Sequence, residues 1–190
     1  MNLNLVSRFF ALFNRPRPMD NITACAGQAF ALARRVATAR KLEEVDIDHV
    51  VIGLLRLNHG IALHVLMGLG IDRAIMMADL ERLIKDGSSS IEAMKVPYNR
   101  SIKLSLALGV QEAEKMKNAY FGTDHILLGL LRYGKGSAYD WLITHGVTFD
   151  SARTLVLKLQ AEDRAKDPSQ SRELIVAVVP VVDTPLSKPV

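Results

Sequence analysis

Two Asp-His pairs, Asp48-His49 and Asp124-His125, are the residues whose types and spacing first suggest chemistry in this chain. A carboxylate beside an imidazole can act as an acid-base pair, and a histidine can bind a metal ion. Each pair, however, begins a mostly apolar stretch. That setting favours a structural histidine bonded to backbone, and an aspartate stabilised by the helix dipole by roughly 0.3 to 1 kcal/mol.

A second candidate is the segment 129–135, Gly-Leu-Leu-Arg-Tyr-Gly-Lys, which matches the first seven positions of a phosphate-binding loop. The next position needs Ser or Thr to hold magnesium, but it is Gly136. Such a loop also follows a strand, whereas the run 126–133 predicts a helix. We therefore interpret the segment as a turn between two helices and expect no nucleotide binding.

The remaining reactive side chains predict neither a metal site nor a nucleophile. His59 and His64 are five residues apart, which turns them to different sides of a helix, and the chain has no His-Glu-x-x-His motif. The single Cys25 excludes an internal disulfide and lies in an Ala-rich helical pattern. The sequence thus predicts a protein that is not an enzyme, with no cofactor and no metal, and compatible with the cytoplasm.

Composition is that of a folded protein with a mixed surface. The chain has 190 residues, 49% of them hydrophobic, and its 24 basic residues are spread among 20 acidic ones. Arg56 and Arg132 are isolated cations and form no basic face, so we expect no nucleic-acid partner. No apolar run reaches the length of about 18 residues that a membrane span requires.

An internal duplication determines which elements position these residues. Residues 48–56 recur as 124–132, 76 positions later, and ten of the 25 positions from 46 to 70 are identical to their partners. Apolar spacings of three and four predict helices throughout, four in each copy. We therefore predict an all-α fold of eight helices, built as two four-helix units about a pseudo-twofold axis, because each unit needs the other to bury its apolar face.

Glycines and capping residues recur in register and delimit these helices. Gly60 and Gly136 separate the second helix of each copy from the third, and Gly70 and Gly146 are placed to end the third. Asp72 and Thr148, two residues on, are suited to cap the fourth.

The duplicated domain is predicted to span residues 21–162, with repeat one at 21–86, a Gly/Ser linker at 87–96 and repeat two at 97–162. Residues 1–20 form an amphipathic N-terminal arm, for which three readings remain: a targeting peptide, a helix on a membrane or partner, or an arm packed on the domain. Residues 163–190 form a C-terminal tail. Its β-branched run at 174–182 is an added strand, a docking peptide or a poorly ordered segment.

The second copy carries Gly122-Thr123-Asp124-His125-Ile-Leu-Leu-Gly-Leu, followed by Arg132, Gly136 and Ala138, and the first copy carries a looser version. This paired pattern resembles the double repeat of the Clp amino-terminal domain over residues 20 to 162. The resemblance implies an eight-helix domain that receives substrates and adaptor proteins ahead of ATP-driven unfoldase modules. Since no AAA+ module follows in this chain, the resemblance implies a free-standing version of the domain.

The resemblance also implies a site. In one branch of the family the acidic residue of the Thr-Glu-His motif takes part in binding phosphorylated arginine, and the matching positions here are Asp48 and Asp124. Asp stands where that branch has Glu, and Ile47 stands where it has Thr. We expect Asp48, Thr123 and Asp124 to bind a peptide or adaptor. The two carboxylates should then be partly exposed near the starts of the second and sixth helices.

The implied function is a non-enzymatic, adaptor-like binding module that engages Clp unfoldase or protease subunits, adaptors or substrate polypeptides. The alternative is a membrane-associated or stress-related scaffold. In that case peripheral membrane contact through residues 3–13 would be the working part of the protein.

Overall fold

The computed structural model describes residues 21–92 and 95–166, so the predicted arm and the tail beyond residue 166 lie outside the described residues. Within that part the fold is all-α with eight helices, as predicted. Repeat one contains α1 (Ala24–Ala39), α2 (Ile47–Leu55), α3 (Ile61–Gly68) and α4 (Arg73–Leu83). Repeat two contains α5 (Arg100–Lys115), α6 (Thr123–Tyr133), α7 (Ser137–Thr144) and α8 (Phe149–Lys166), which runs past position 162.

Matched capping residues set the helix boundaries. Thr23 and Asn99, which are equivalent positions, each accept a backbone N–H at the start of the first helix of their copy. Asp72 caps α4, and the Thr148 hydroxyl accepts the N–H of Ser151 at the start of α8, as expected.

The third helix of each copy ends as predicted. Gly70 and Gly146 take φ values of 84° and 81°, the left-handed conformation that stops a helix. The two equivalent glycines therefore end the third helix at the same place in both copies.

The first two helices of each copy pack closely because a glycine stands where they cross. A Cβ atom on Gly53 would run into the carbonyl oxygen of Ala29, and one on Gly129 would run into the carbonyl oxygen of Ser105. These four residues are related by the duplication. The same glycine-mediated approach of two helices is therefore built twice.

The two copies are interlocked rather than merely adjacent. The segment before α1 pairs with the segment before α6 through the Ile22–Phe121 bridge, and the segment before α5 pairs with the segment before α2 through the Val45–Tyr98 bridge. Each bridge carries two backbone hydrogen bonds of 2.8 to 3.0 Å, in equivalent positions. In addition, α3 packs on α6 and α8 of the other copy, and α7 packs on α2 and α4. These reciprocal contacts define the pseudo-twofold axis.

One core runs through both copies. Its largest fully buried side chains come from α2 to α7 and from the segment before α6, and they include Ile52, Leu66, Met76, Leu80, Ile102, Phe121, Leu127 and Leu142. The beginning of the predicted linker is bound to the end of α1, since Gly87 and Ser89 donate their N–H groups to the carbonyls of Arg40 and Lys41.

Candidate functional site

The two Asp-His pairs occupy the first turns of α2 and α6, and both histidines are structural, as the sequence analysis favoured. Nδ1 of His49 accepts the N–H of Asp46 at 3.1 Å, and Nδ1 of His125 accepts the N–H of Gly122 at 2.9 Å. The side chains of His49 and His125 are 3% and 0% exposed. Each imidazole closes the backbone turn that begins its helix.

Asp48 caps a helix of the other copy. Its Oδ1 accepts the N–H of Ala138 at 2.8 Å, and its Oδ2 accepts the N–H of Ser137 at 3.1 Å, at the start of α7. Those two N–H groups have no partner inside α7, and the positive end of the helix dipole favours the carboxylate. Asp48 is half-buried in this position.

Thr123 performs the reciprocal task. Its hydroxyl accepts the N–H of Ala62 at 3.2 Å, at the start of α3, and it is 3% exposed. Ala62 and Ala138 are equivalent positions, but Thr123 is equivalent to Ile47 and not to Asp48. The capping residue therefore differs between the copies: repeat one uses Asp48, and repeat two uses the preceding position, Thr123. Asp124, the equivalent of Asp48, caps none of the described helices of the other copy.

The expectation that both carboxylates are partly exposed is wrong for Asp124, which is 1% exposed. Its Oδ2 accepts from Nε2 of Gln160 on α8, and its Oδ1 lies 3.2 Å from Nδ1 of His125. Burial and the nearby charge of Asp124 raise the pKa of Tyr120 to about 12. Asp124 therefore belongs to the packing between α6 and α8.

A polar network extends from Asp124 in repeat two. The side-chain amide of Asn118 lies 2.9 Å from Nε2 of His125, donates to Gln160, and accepts from Arg164. In repeat one Leu42 occupies the equivalent position, and Nε2 of His49 is buried with no partner among residues 21–92 and 95–166. The sequence did not indicate Gln160, because its partners Asp124 and Asn118 lie 36 and 42 residues away along the chain.

The two acids at the start of α2 have opposite pKa shifts. Burial, together with the charge of Asp46, holds the pKa of Asp48 above its usual value despite the bonds from α7. Burial also acts on Asp46, but the contacts with His49 and the N–H of Asp48 outweigh it and hold the pKa of Asp46 below its usual value. Asp46 is thus the anionic member of the pair under acidic conditions.

An apolar depression lies between the copies. Equivalent half-buried side chains, Phe30 of α1 and Leu106 of α5, flank it. Its floor is formed by α2 and α6 together with the start of α5, namely by Ile47, Val50, Val51, Ile102, Ser105, Ile126 and Leu130. A Cβ atom on Gly136 would lie 3.0 Å from Cγ2 of Ile47 and 3.1 Å from Oδ1 of Asp48, so the half-buried carboxylate lies close to the Ile47 side of the depression.

The structure places the other sequence candidates in helices and turns. The phosphate-loop-like segment lies in α6 and the turn after it, where Gly134 has a φ of 68°, as the helix-to-helix interpretation predicted. Within residues 21–92 and 95–166, no group of three or more His, Cys, Asp or Glu side chains is arranged to hold a metal ion. Among the described helices none alone is long and apolar enough to cross a membrane; α3 and α4 pass that test only jointly, by length and composition, and are bent by 104°.

Comparison with known proteins gives a consistent result. The sequence profile of the Clp repeat (R) N-terminal domain matches residues 21–145. The chain is 32% identical over 150 residues to "Chaperone protein ClpB" of Oceanobacillus iheyensis, which covers 79% of this chain and 18% of that protein. It is 34% identical over 137 residues to "Negative regulator of genetic competence ClpC/MecB" of Bacillus subtilis, covering 72% of this chain and 17% of that protein.

The crystal structure of the N-terminal domain of ClpD from Arabidopsis thaliana has the same fold. It superposes with a TM-score of 0.58 at 20% identity, over 74% of this chain and 95% of that one. The chain spans less than a fifth of the length of the two curated relatives.

Proposed function

Because this chain belongs to the Clp repeat N-terminal domain family, we propose that it is a protein-binding module that serves a Clp chaperone or protease as an accessory or adaptor-like partner. The profile match over residues 21–145 carries this proposal, since it includes both Asp-His motifs and every helix of the two copies except α8. In this proposal the domain performs no catalysis. It holds a substrate polypeptide, an adaptor or the unfoldase itself.

We assign the apolar depression between the copies to such a partner, because it is lined by both repeats. Phe30 and Leu106 stand at its rim, half-buried, and its floor is apolar apart from Ser105. An apolar side chain of a partner that packs against Phe30 and Leu106 at the rim leaves water on contact with both copies at once, which is favourable by about 25 cal/mol per Å² of buried apolar surface. Partner binding would therefore depend on how the two repeats are packed against each other.

Asp48, Thr123 and Asp124 divide between two roles in this proposal. Asp48 is the member of the three that a cationic group of a partner can reach, because it is half-buried beside the depression. Thr123 and Asp124 are 3% and 1% exposed, so they contribute by holding α3 and α8 in place rather than by direct contact. A phosphoarginine would meet one accessible carboxylate in this arrangement, not a matched pair.

The test uses the full chain and two probes, a purified ClpC-type unfoldase and a fluorescently labelled, permanently unfolded polypeptide. Leu106→Gln should weaken binding of at least one probe by about tenfold, equivalent to about 1.4 kcal/mol. Leu104→Gln is the matched control, because Leu104 lies on the same helix, is 41% exposed and is not part of the depression. Equal affinities for the two variants would show that the partner binds outside the depression. If the unaltered chain bound neither probe, the proposed function would be overturned.

The alternative function, a membrane-associated scaffold acting through residues 3–13, concerns residues outside the described part of the chain. Fractionation of cell extract separates the two functions. Co-purification with Clp subunits from the soluble fraction supports the binding module, whereas sedimentation with membranes and no Clp subunits supports the scaffold.

A further inference from the structure

A cluster of three cations surrounds one buried carboxylate in repeat two. Glu112 of α5 is 1% exposed, and its Oε1 accepts from Nζ of Lys115 at 2.9 Å and from Nη1 of Arg132 at 2.8 Å. Its Oε2 accepts from Nε of Arg153 on α8 at 3.1 Å. We call these four residues the Glu112 cluster, which has three positive charges and one negative charge.

The cations of the Glu112 cluster reach solvent while the carboxylate does not. The side chains of Lys115, Arg153 and Arg132 are 56%, 35% and 25% exposed. Bonds to described residues use Nη1 of Arg132 and Nε of Arg153, so the other nitrogens of both guanidinium groups have no partner in the described part of the chain. Hydrogen bonding to Lys115 and Arg153 outweighs burial and holds the pKa of Glu112 below its usual value, so the carboxylate stays ionised.

Repeat one provides an internal comparison. Arg56, equivalent to Arg132, pairs with Glu81 at 2.8 Å, and Arg40 pairs with Asp86 at 3.1 Å, so each of these two cations is balanced by one carboxylate. The positions equivalent to Glu112, Lys115 and Arg153 are Val36, Ala39 and Met77. Repeat one therefore has no counterpart of the Glu112 cluster.

We propose that the Glu112 cluster docks an acidic segment of a partner polypeptide, with a carboxylate of the partner bridging Arg153, Arg132 and Lys115. A guanidinium group offers paired N–H donors in the geometry of a carboxylate, and charge-assisted bonds of this kind are about twice as strong as neutral ones. The buried Glu112 fixes all three cations in place before the ligand arrives, which lowers the entropy cost of binding.

The number of cations in the Glu112 cluster indicates which class of ligand it suits. Proteins that bind duplex nucleic acid commonly neutralise about six to ten phosphates, and polybasic membrane-binding segments carry about four to eight cations. Three cations with a net charge of two match one or two carboxylates. The proposal rests on the proposed function only in taking the ligand to be a polypeptide, and it uses a surface separate from the apolar depression.

The experiment measures binding of a fluorescein-labelled hexaglutamate peptide to the full chain by anisotropy at low ionic strength, with hexaglutamine as the uncharged control. Arg153→Gln and Lys115→Gln should each weaken hexaglutamate binding by about threefold to tenfold, since each removes one charge-assisted contact. Arg56→Gln removes the same charge from the balanced pair in repeat one and should leave the affinity unchanged.

Three results would overturn the proposal: equal weakening by all three variants, no effect of Arg153→Gln and Lys115→Gln, or binding of inorganic phosphate in place of hexaglutamate. Failure here is distinguishable from failure of the proposed function, because the comparison of Leu106→Gln with Leu104→Gln changes the apolar depression and leaves the Glu112 cluster intact.

Discussion

Two side chains in this domain cap a helix of the opposite copy. Asp48 of repeat one caps α7 of repeat two, and Thr123 of repeat two caps α3 of repeat one. Capping bonds of this kind commonly contribute about 1 kcal/mol each, so each motif stabilises the packing of the two copies as well as its own helix.

Replacing Thr123 tests this directly. Thr123→Val keeps the shape of the side chain but leaves the N–H of Ala62 without its acceptor in a buried place, which should lower the free energy of unfolding by about 1 to 3 kcal/mol. Thr144→Val is the control, because the Thr144 hydroxyl is exposed and donates to its own helix. Its effect should stay within about 0.5 kcal/mol in the same urea titration. Equal losses in the two variants would show that the bond to α3 contributes nothing.

Asp46 and Asp48 should give opposite pH dependences of stability. The folded state binds the Asp48 proton more tightly than the unfolded state does, because its pKa is raised above 3.8. Its contribution to stability therefore grows as the pH falls through the raised pKa toward 3.8. The pKa of Asp46 is lowered, so its contribution is present above 3.8 and is lost as the pH falls from there through the lowered pKa.

Urea unfolding of the wild type, Asp46→Asn and Asp48→Asn between about pH 3 and about pH 6 measures both effects. Wild type should lose stability relative to Asp46→Asn as the pH falls, and should gain it relative to Asp48→Asn. Curves that change in the same direction for the two variants would contradict the opposite environments of these carboxyl groups.

Among the helices, the decisive contacts are those between the first and second of each copy. Gly129 is the position where α6 meets α5, and a methyl group there would meet the backbone of Ser105 and Gly109. Backbone atoms cannot move aside as the end of a flexible side chain can. The separation of the two helices is therefore set by the absence of a side chain.

Gly129→Ala should cost about 1 to 3 kcal/mol through overpacking and lower the melting temperature. Gly27→Ala is the matched control within α1, since a Cβ at Gly27 meets no atom within 4 Å. That variant should gain up to about 1 kcal/mol from helix propensity. Circular dichroism melts of both variants check the opposite signs, and a stable Gly129→Ala would mean that the helices can separate at little cost.

The sequence predicted the positions of the helices and of the turns between them well, because these depend on local signals. Helix positions follow from apolar spacing and caps such as Asp72, and the left-handed turns follow from Gly70 and Gly146, all of which are local signals. Partners across the two copies leave no such signal. Nothing near Asp48 in the sequence indicates that its carboxylate meets Ala138. Within repeat two, likewise, no local signal indicates that Gln160, 36 residues away, covers Asp124.

For the molecule as a whole, the interlock means that neither repeat has a complete set of contacts alone. The segments before α1 and before α6 bond to each other, as do those before α5 and before α2. The third helices pack on the second and fourth helices of the opposite copy. A partner that binds the depression shared by Phe30 and Leu106 therefore binds a surface that exists only when both repeats are folded together.

Separate production of residues 21–92 and residues 95–166 tests this interdependence. Each fragment would expose the apolar faces of its third helix and its second helix to water and would lose the caps provided by Thr123 or Asp48. A fragment of about 70 residues buries too little apolar surface to absorb those losses. Neither fragment alone should therefore show a cooperative unfolding transition by circular dichroism.

An equimolar mixture of the two fragments should recover helical signal and a single transition whose midpoint rises with concentration, because the interlock becomes an association between two chains. The intact chain at the same concentrations is the control, and its midpoint should not move. A fragment that unfolds cooperatively alone, with native-like helix content, would show that one repeat is an independent folding unit and that the interlock forms only after each repeat has folded.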